Sequence, residues 1–263
     1  STLGWPDKSK DLIKYYPGNI LVTGFDIIFF WVARMMMLGI YFMKKSPFKE
    51  VYVHALVRDS KGNKMSKSKG NVVNPLVLMD QYGTDTIRFS LTALATQGRD
   101  IKLAEDRIVG YRNFITKIHN ASKFLEMNGC VLDKEFDIKM IQKPINLWII
   151  NLLYKTADNV SSEIESYRFN EAANSAYHFV WHNFCDWYLE IVKPVLSEIN
   201  IEENKEIKNT TAFVFSKILA ILHPIIPFNT EYLYSKVHNF GEMLSLMDWP
   251  DSNIEKIKLS KNN

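Results

Sequence analysis

Between Lys61 and Asn71 the chain reads Lys-Gly-Asn-Lys-Met-Ser-Lys-Ser-Lys-Gly-Asn: four ammonium groups, two hydroxyls and two glycines in eleven residues, with no carboxylate. Such a segment suits an anion that presents several oxygens. Lysines bring positive charge on flexible stems, serines bring short donors, and Gly70 frees the main chain for close approach. The loop is not a Walker loop, because the order GxxxxGK[ST] is missing and no helix begins where that loop needs one. A lysine-rich turn of this length is often no more than a solvated surface turn. Its setting, after a strand and a tight turn, is what argues for a ligand.

The elements that carry this loop alternate. Asn19-Ile20-Leu21-Val22-Thr23 predicts a buried strand, and Gly24-Phe25-Asp26 turns the chain into a helix through Met43, with Asp26 placed to cap it. Val51–Val57 predicts a second strand, which contains His54, and Arg58–Asn63 is turn material leading into the loop. Strand, helix, strand is a βαβ unit. Asn74-Pro75 starts a short helix that ends near Gly83, and Thr84 caps another whose apolar positions include Ile87, Leu91 and Leu94. The apolar run Ile27–Met43 resembles a membrane span, yet it is short for a bilayer and carries Arg34 near its middle. It is read as a buried helix, in which a core aromatic is the plain alternative for Trp31.

Beyond about residue 100 a helical period takes over, with Ile108, Tyr111, Ile115, Ile118 and Leu125 forming one apolar stripe. Pro144 opens a second helix through about Ile164, and Asn170 caps a third that Pro194 stops. Residues 201 to 209 are expected to be a solvated connection, followed by a helix from about Thr210 to His223. Pro224 and Pro227 then interrupt the chain before a short helix over Glu231–Val237, and the polar tail Lys256–Asn263 is expected to fray. The expected fold is α/β and then all-α, the second part an antiparallel helical bundle. The expected domains are residues 1–104 and 105–263.

Of 263 residues, 47% are hydrophobic and 23% charged, which suits a chain with a substantial core. The net charge of +3 hides an asymmetry: residues 1–100 carry 14 Lys/Arg against 8 Asp/Glu, and the remainder 18 against 21. A basic first part fits a polyanionic ligand, whereas the acidic second part excludes a general nucleic-acid glue. Arg107, Arg112, Lys117 and Lys123 nevertheless give the first long helix a local basic excess, either a solvated face or a set of phosphate contacts. Cys130 and Cys185 stand far apart and in no CxxC pair, so neither a disulfide framework nor a cysteine zinc knuckle is indicated, and a reducing cytoplasm is expected. His178, His182 and Cys185 fall on successive helical turns but lack the glutamate of HExxH and a fourth ligand, so no metal site is expected. The chain begins Ser1-Thr2-Leu3-Gly4-Trp5-Pro6, without methionine or signal peptide, which suggests a cut through a larger protein.

Lys64-Met65-Ser66-Lys67-Ser68 is the KMSKS signature of class I aminoacyl-tRNA synthetases, letter for letter. The resemblance extends further. Thr23-Gly24-Phe25-Asp26-Ile27-Ile28-Phe29-Phe30-Trp31 resembles the valyl form of the GxDxxxxW segment that precedes KMSKS. Gly4-Trp5-Pro6, Arg88-Phe89, Ala95–Asp100, Tyr111–Phe114, Phe184–Tyr188 and His223–Phe228 are similar to the same branch in the same order. The isoleucyl branch is alike in layout, but its segment usually reads GxDQxxGWF, from which Ile27 and Phe30 depart.

This resemblance implies the second half of a Rossmann-like nucleotide-binding fold followed by an anticodon-binding bundle. Its substrates would be valine, ATP with Mg²⁺, and tRNA(Val). Pyrophosphate leaves as the aminoacyl adenylate forms, so Lys64 and Lys67 are expected to stabilise the growing negative charge, and Lys67 above all. By the same carry-over Met65 lies against adenine, Ser66 and Ser68 offer hydroxyls, Gly24 lets the ribose approach, Asp26 accepts its hydroxyls, His54 joins the ATP site and Trp31 walls the amino-acid pocket. No HIGH tetrapeptide occurs in the chain, and no sequence for an editing insert or a C-terminal coiled-coil arm is found, so a monomeric fragment inert on its own is expected. A stand-alone tRNA-binding module without catalysis is the alternative.

Overall fold

The computed structural model describes residues 2–66, 68, 70–197, 201–237 and 243–250; the tail Lys256–Asn263 lies outside them. A short helix α1 (Lys10–Tyr15) leads into strand β1 (Gly18–Gly24), a helical run ending in α2 (Ala33–Met43), and strand β2 (Phe48–His54). β1 and β2 pair in parallel, Gly18 opposite Phe48 and Gly24 opposite His54, which is the expected βαβ unit.

The second expected strand divides in two. At Ala55-Leu56 the chain leaves β1: the Leu56 N–H donates to the Asp100 carboxylate (3.3 Å) and the Leu56 carbonyl accepts the Ile101 N–H (2.8 Å). The strand resumes as β3 (Val57–Arg58), which pairs in parallel with β4 (Ile101–Lys102), a strand too short to show in the sequence pattern. Between β3 and β4 lie the lysine loop, α3 (Pro75–Tyr82) and α4 (Thr84–Leu94). Asn74 caps α3 as expected, its Oδ1 accepting the Leu76 N–H at 3.0 Å, with Pro75 at the first turn. Thr84 is not a cap: Gly83, with φ of +90°, ends α3 and precedes α4, and Thr84 is already helical.

The run expected to be a buried helix is helical and hardly buried. It passes from a 3-10 turn (Phe25–Ile27) through a π turn (Ile28–Val32) into α2, a stretch long and apolar enough in length and composition to cross a membrane. Phe29 is 80% exposed and Met37 72%, while Val32 is buried. The strands at its two ends run parallel, which lays the helix back beside the sheet, and the described residues cover little of it.

The remaining helices are α5 (Glu105–Met127), α6 (Pro144–Glu165), α7 (Phe169–His178), a π-helical segment (Phe179–Tyr188), α8 (Leu189–Ser197), α9 (Ile201–Leu222) and α10 (Pro227–Val237). Ile108, Ile115, Ile118 and Leu125 of α5 are buried as the stripe predicts. Asn170 caps nothing, since Arg168 occupies the cap position, and Pro194 lies inside α8 without stopping it. Residues 201–209 are the first turns of α9 rather than a solvated connection. Two of their polar side chains bond within the molecule: Glu206 accepts the Lys143 N–H (2.9 Å) and the Asn146 amide (2.8 Å), and Asn209 accepts the Asp133 N–H (2.7 Å). Pro227 starts α10 four residues earlier than expected.

One apolar core runs across residue 104. Phe89 and Ala93 of α4 join Phe114, Ile149, Phe184 and Phe215 in it, and Phe114 links Phe89 (5.0 Å between ring centroids) to Tyr177 (4.6 Å). Within it the Tyr188 hydroxyl donates to Asn146 Oδ1 at 2.8 Å and lies 3.3 Å from Thr211 Oγ1, all three residues buried. Burial raises the phenol above its ordinary value of 10.0. Tyr188→Phe leaves the Asn146 oxygen dry and unpaired, so denaturant unfolding should show a loss of about 1–3 kcal/mol. In the unsubstituted chain the raised phenol predicts stability that is complete below pH 10 and falls as the pH rises beyond it.

Candidate active site

The loop is shaped by a carboxylate that precedes it. Asp59 Oδ1 accepts the Asn63 N–H at 2.7 Å, and Oδ2 accepts the side-chain amides of Asn63 (3.3 Å) and Asn71 (2.9 Å). Asn71 closes the other end: its amide also reaches the Lys64 carbonyl (3.3 Å), and its Oδ1 accepts the Ser66 N–H (3.0 Å). Gly62, at φ +85°, makes the turn, and Lys64 returns to bridge Arg58. The base of this hairpin is pinned by an ion pair from Arg58 Nε to Asp100, just before β4. Hydrogen bonds, from Asn71 first, hold the Asp59 carboxyl below its ordinary range, and the Arg58 bond does the same for Asp100.

Within this frame the Lys64 side chain is exposed, Met65 and Ser66 are half-buried, Ser68 is exposed, and the Ser66 and Ser68 hydroxyls stand 3.2 Å apart. Lys67, the foremost lysine of the sequence reading, lies outside the described residues, as does Lys69. A cleft of about 810 Å³ separates the hairpin from α3 and α5, lined among others by Asp59, Lys61, Asn71, Gln81 and Glu105.

A second cluster stands at the carboxyl ends of β1 and β2. A Cβ on Gly24 would lie 2.8 Å from Asp26 Oδ1, 3.2 Å from Leu56 Cδ2 and 3.6 Å from His54 Cε1, so the carboxylate and the imidazole flank this glycine closely. The carboxyl ends of parallel strands are where open α/β sheets bind ligands. Asp26 is not the helix cap, which falls on Gly24; its carboxylate is exposed and among the described residues has no hydrogen-bond partner. The His54 Nδ1 lies 2.9 Å from its neighbouring Ala55 carbonyl. Trp31 sits in the π turn, 44% exposed, so the described residues leave it open rather than closing a pocket around it.

The four basic residues of α5 do not make one stripe. Steps of five and six residues set successive side chains about 140° and about 120° apart around a 3.6-residue helix. Arg107, Arg112 and Lys123 are exposed, whereas Lys117 is half-buried, bonded to Asp186 at 2.8 Å and 5.2 Å from the Trp181 ring centroid. Its partner raises its pKa. His178 and His182 face solvent while Cys185 points into the core, where burial pushes its thiol up to about 12. The three do not converge.

Sequence reasoning missed Asp59, Asn71 and Asp100. For Asp59 a signal existed, because Asp-Ser-Lys-Gly-Asn has the pattern of an Asx turn; the other two act from 12 and 42 residues away.

The family described as tRNA synthetases class I (I, L, M and V) matches residues 1–104, and the anticodon-binding domain of tRNA ligase matches residues 146–262. Residues 1–104 belong to the class I tRNA synthetases. The chain is 53% identical over 251 residues to the valine–tRNA ligase of Nitrobacter winogradskyi, covering 95% of this chain and 26% of the relative. The valine–tRNA ligase of Pelagibacter ubique is 49% identical over 259 residues, covering 97% and 30%. These relatives favour the valyl branch over the isoleucyl one, and the chain spans little more than a quarter of their length. In fold it is similar to a LeuRS–tRNA–LeuAMS complex from Agrobacterium radiobacter K84 (TM-score 0.76, 20% identity, 92% of this chain and 29% of that one). It is also similar to Mycobacterium tuberculosis methionyl-tRNA synthetase with methionyl-adenylate (0.71, 18%, 88% and 46%).

Because its charged form accepts the loop's hydrogen bonds, Asp59 should titrate below 3.8. The contribution it makes to loop order is present above that pH and is lost as pH falls through the lowered value. The Asn63 amide resonance should follow the same low midpoint, and Asp59→Ala or Asn71→Ala should speed tryptic cleavage at Lys61–Lys69 several-fold at neutral pH.

Proposed function

We propose that this chain is the part of a cytoplasmic valine–tRNA ligase that carries the second half of a Rossmann-like fold, with its KMSKS loop, and an antiparallel helical bundle that meets the anticodon end of tRNA(Val). The observation that carries the reading is the join between the two clusters. His54, beside Gly24 and Asp26 at the strand ends, is four residues from Arg58, which anchors the base of the lysine hairpin. One end of a nucleotide and its phosphates could be served by this short stretch. The exposed apolar run Phe25–Met43 supports the reading, since half of a sheet-and-helix fold leaves its helices uncovered on the side where the other half packs.

In the proposed reaction the valine carboxylate attacks the α-phosphorus of ATP, the bond to the bridging oxygen breaks, and pyrophosphate leaves. A tRNA hydroxyl then takes the valyl group and AMP departs. Gly24 admits the ribose to the backbone and Asp26, unpaired among the described residues, accepts its hydroxyls. His54 borders the same glycine. Met65 lies against the adenine, and Ser66 and Ser68 donate to phosphate oxygens. Lys64 and Lys67 meet the charge that grows on the leaving pyrophosphate, which lowers the barrier because the contact strengthens as the reaction proceeds. Mg²⁺ would accompany the polyphosphate as part of the substrate. Trp31 offers a flat apolar face to the methyls of valine, and Arg107, Arg112 and Lys123 offer phosphate contacts to tRNA.

Two outcomes test this. The 263-residue chain alone, lacking a HIGH segment, should show no valine-dependent ATP–pyrophosphate exchange near the rate of a full-length enzyme. In the full-length protein, Lys67→Ala should slow adenylate formation about 10²-fold or more, whereas Trp31→Ala should raise the KM for valine and admit larger amino acids. Pre-steady-state adenylate formation with valine and isoleucine separates the two signatures, and normal adenylation in Lys67→Ala would remove that lysine from the leaving group.

A further inference from the structure

Two charged residues of α4, one helical turn apart, grip the junction between two helices of the other part of the molecule. Asp85 is 2% exposed, and its Oδ2 accepts both the main-chain N–H and the side-chain amide of Asn229, each at 2.7 Å. Asn229 is the third residue of α10, so Asp85 satisfies the N–H that an N-cap side chain normally serves, but does so from another helix. Three residues on, Arg88 donates through Nε to the Ile225 carbonyl (2.9 Å) and through Nη2 to the Pro224 carbonyl (3.1 Å), in the turn that follows α9. A negative group meets the start of one helix and a positive group the end of another, each matching the local helix dipole. Behind them His119 of α5 lies 2.7 Å from Asn229 Oδ1 through Nε2, which turns the Asn229 amide toward Asp85.

The place of this grip in the chain gives it a consequence. α4 follows the lysine hairpin through α3 and packs on it, and Tyr82, Ile87 and Ile108 form a small core that ties α3, α4 and α5 together. The loop and the α9–α10 junction are therefore attached to one body. We infer that Asp85 and Arg88 are positioning residues that set the orientation of the helical part against the KMSKS loop, so that a tRNA held by the helices delivers its reactive end to the adenylate. This rests on the proposed reading as a tRNA ligase. It assigns Asp85, Arg88 and Asn229 no contact with valine, ATP or RNA.

The test uses the full-length protein with Asp85→Asn, Arg88→Gln and Asn229→Ala, the last of which breaks the joint from the side of α10 and leaves α4 unaltered. Valine-dependent ATP–pyrophosphate exchange should stay within about twofold of the unsubstituted enzyme, and the Kd for an isolated anticodon stem-loop should be unchanged. The kcat/KM for charging intact tRNA should fall tenfold or more, and Arg88→Lys, which keeps one cationic donor, should recover part of it. Equal losses in exchange and charging, in variants whose circular dichroism matches the parent, would make the joint merely structural and overturn the inference, as would unaltered charging. An unsubstituted enzyme with no valine-dependent exchange would instead defeat the functional reading on which the inference stands.

Discussion

Four lysines in nine residues repel one another, and the described stretch of their loop through Ser66 keeps a shape because one carboxylate and one amide tie it down. Asp59 receives three hydrogen bonds and Asn71 makes three, and between them they fix the turn at Gly62 and the course of the chain through Ser66. None of these groups needs to touch a ligand. Their work is to hold the main chain from Asp59 through Ser66, so that the segment carrying Lys64, Met65 and Ser66 is ordered by the chain's own groups. The Arg58–Asp100 pair extends the same constraint to β4, so the hairpin stands on a sheet rather than on a flexible stalk.

The cluster at the carboxyl ends of β1 and β2 has a different origin. Gly24 and His54 are brought opposite each other by the parallel register of β1 and β2, and Asp26 is presented beside them because the chain turns through a 3-10 segment immediately after the strand. The same register explains the uncovered helix. A parallel crossover must lay its helix along the sheet, and a two-stranded sheet is too narrow to bury a 19-residue apolar run, so much of it remains open among the described residues.

The two halves of the molecule are joined by more than sequence. Phe89 enters the helical core from α4, and the Tyr167 hydroxyl bonds to Glu50 of β2 while Phe169 packs on Tyr52 at 5.3 Å. A boundary drawn at residue 104 is therefore one of sequence families and not of packing, and the rigidity of the junction comes from apolar contact reinforced by directional bonds at α4.

What the sequence determined by itself was local. The Asn74-Pro75 start of α3, the βαβ pattern and the apolar stripe of α5 depend on residue type and near-neighbour spacing, and each is found where the pattern puts it. The tertiary structure decided what distant groups do to one another. Residues 201–209 look solvated because they are rich in charge and amide, yet the Glu206 and Asn209 side chains find partners 60 to 76 residues away and the segment becomes helix. The strand through Val51–Val57 breaks because Asp100 and Ile101 claim the Leu56 main chain. The apolar run Phe25–Met43 shows the limit from the other side: hydrophobicity marks a surface that wants cover, and only the fold shows which residues obtain it.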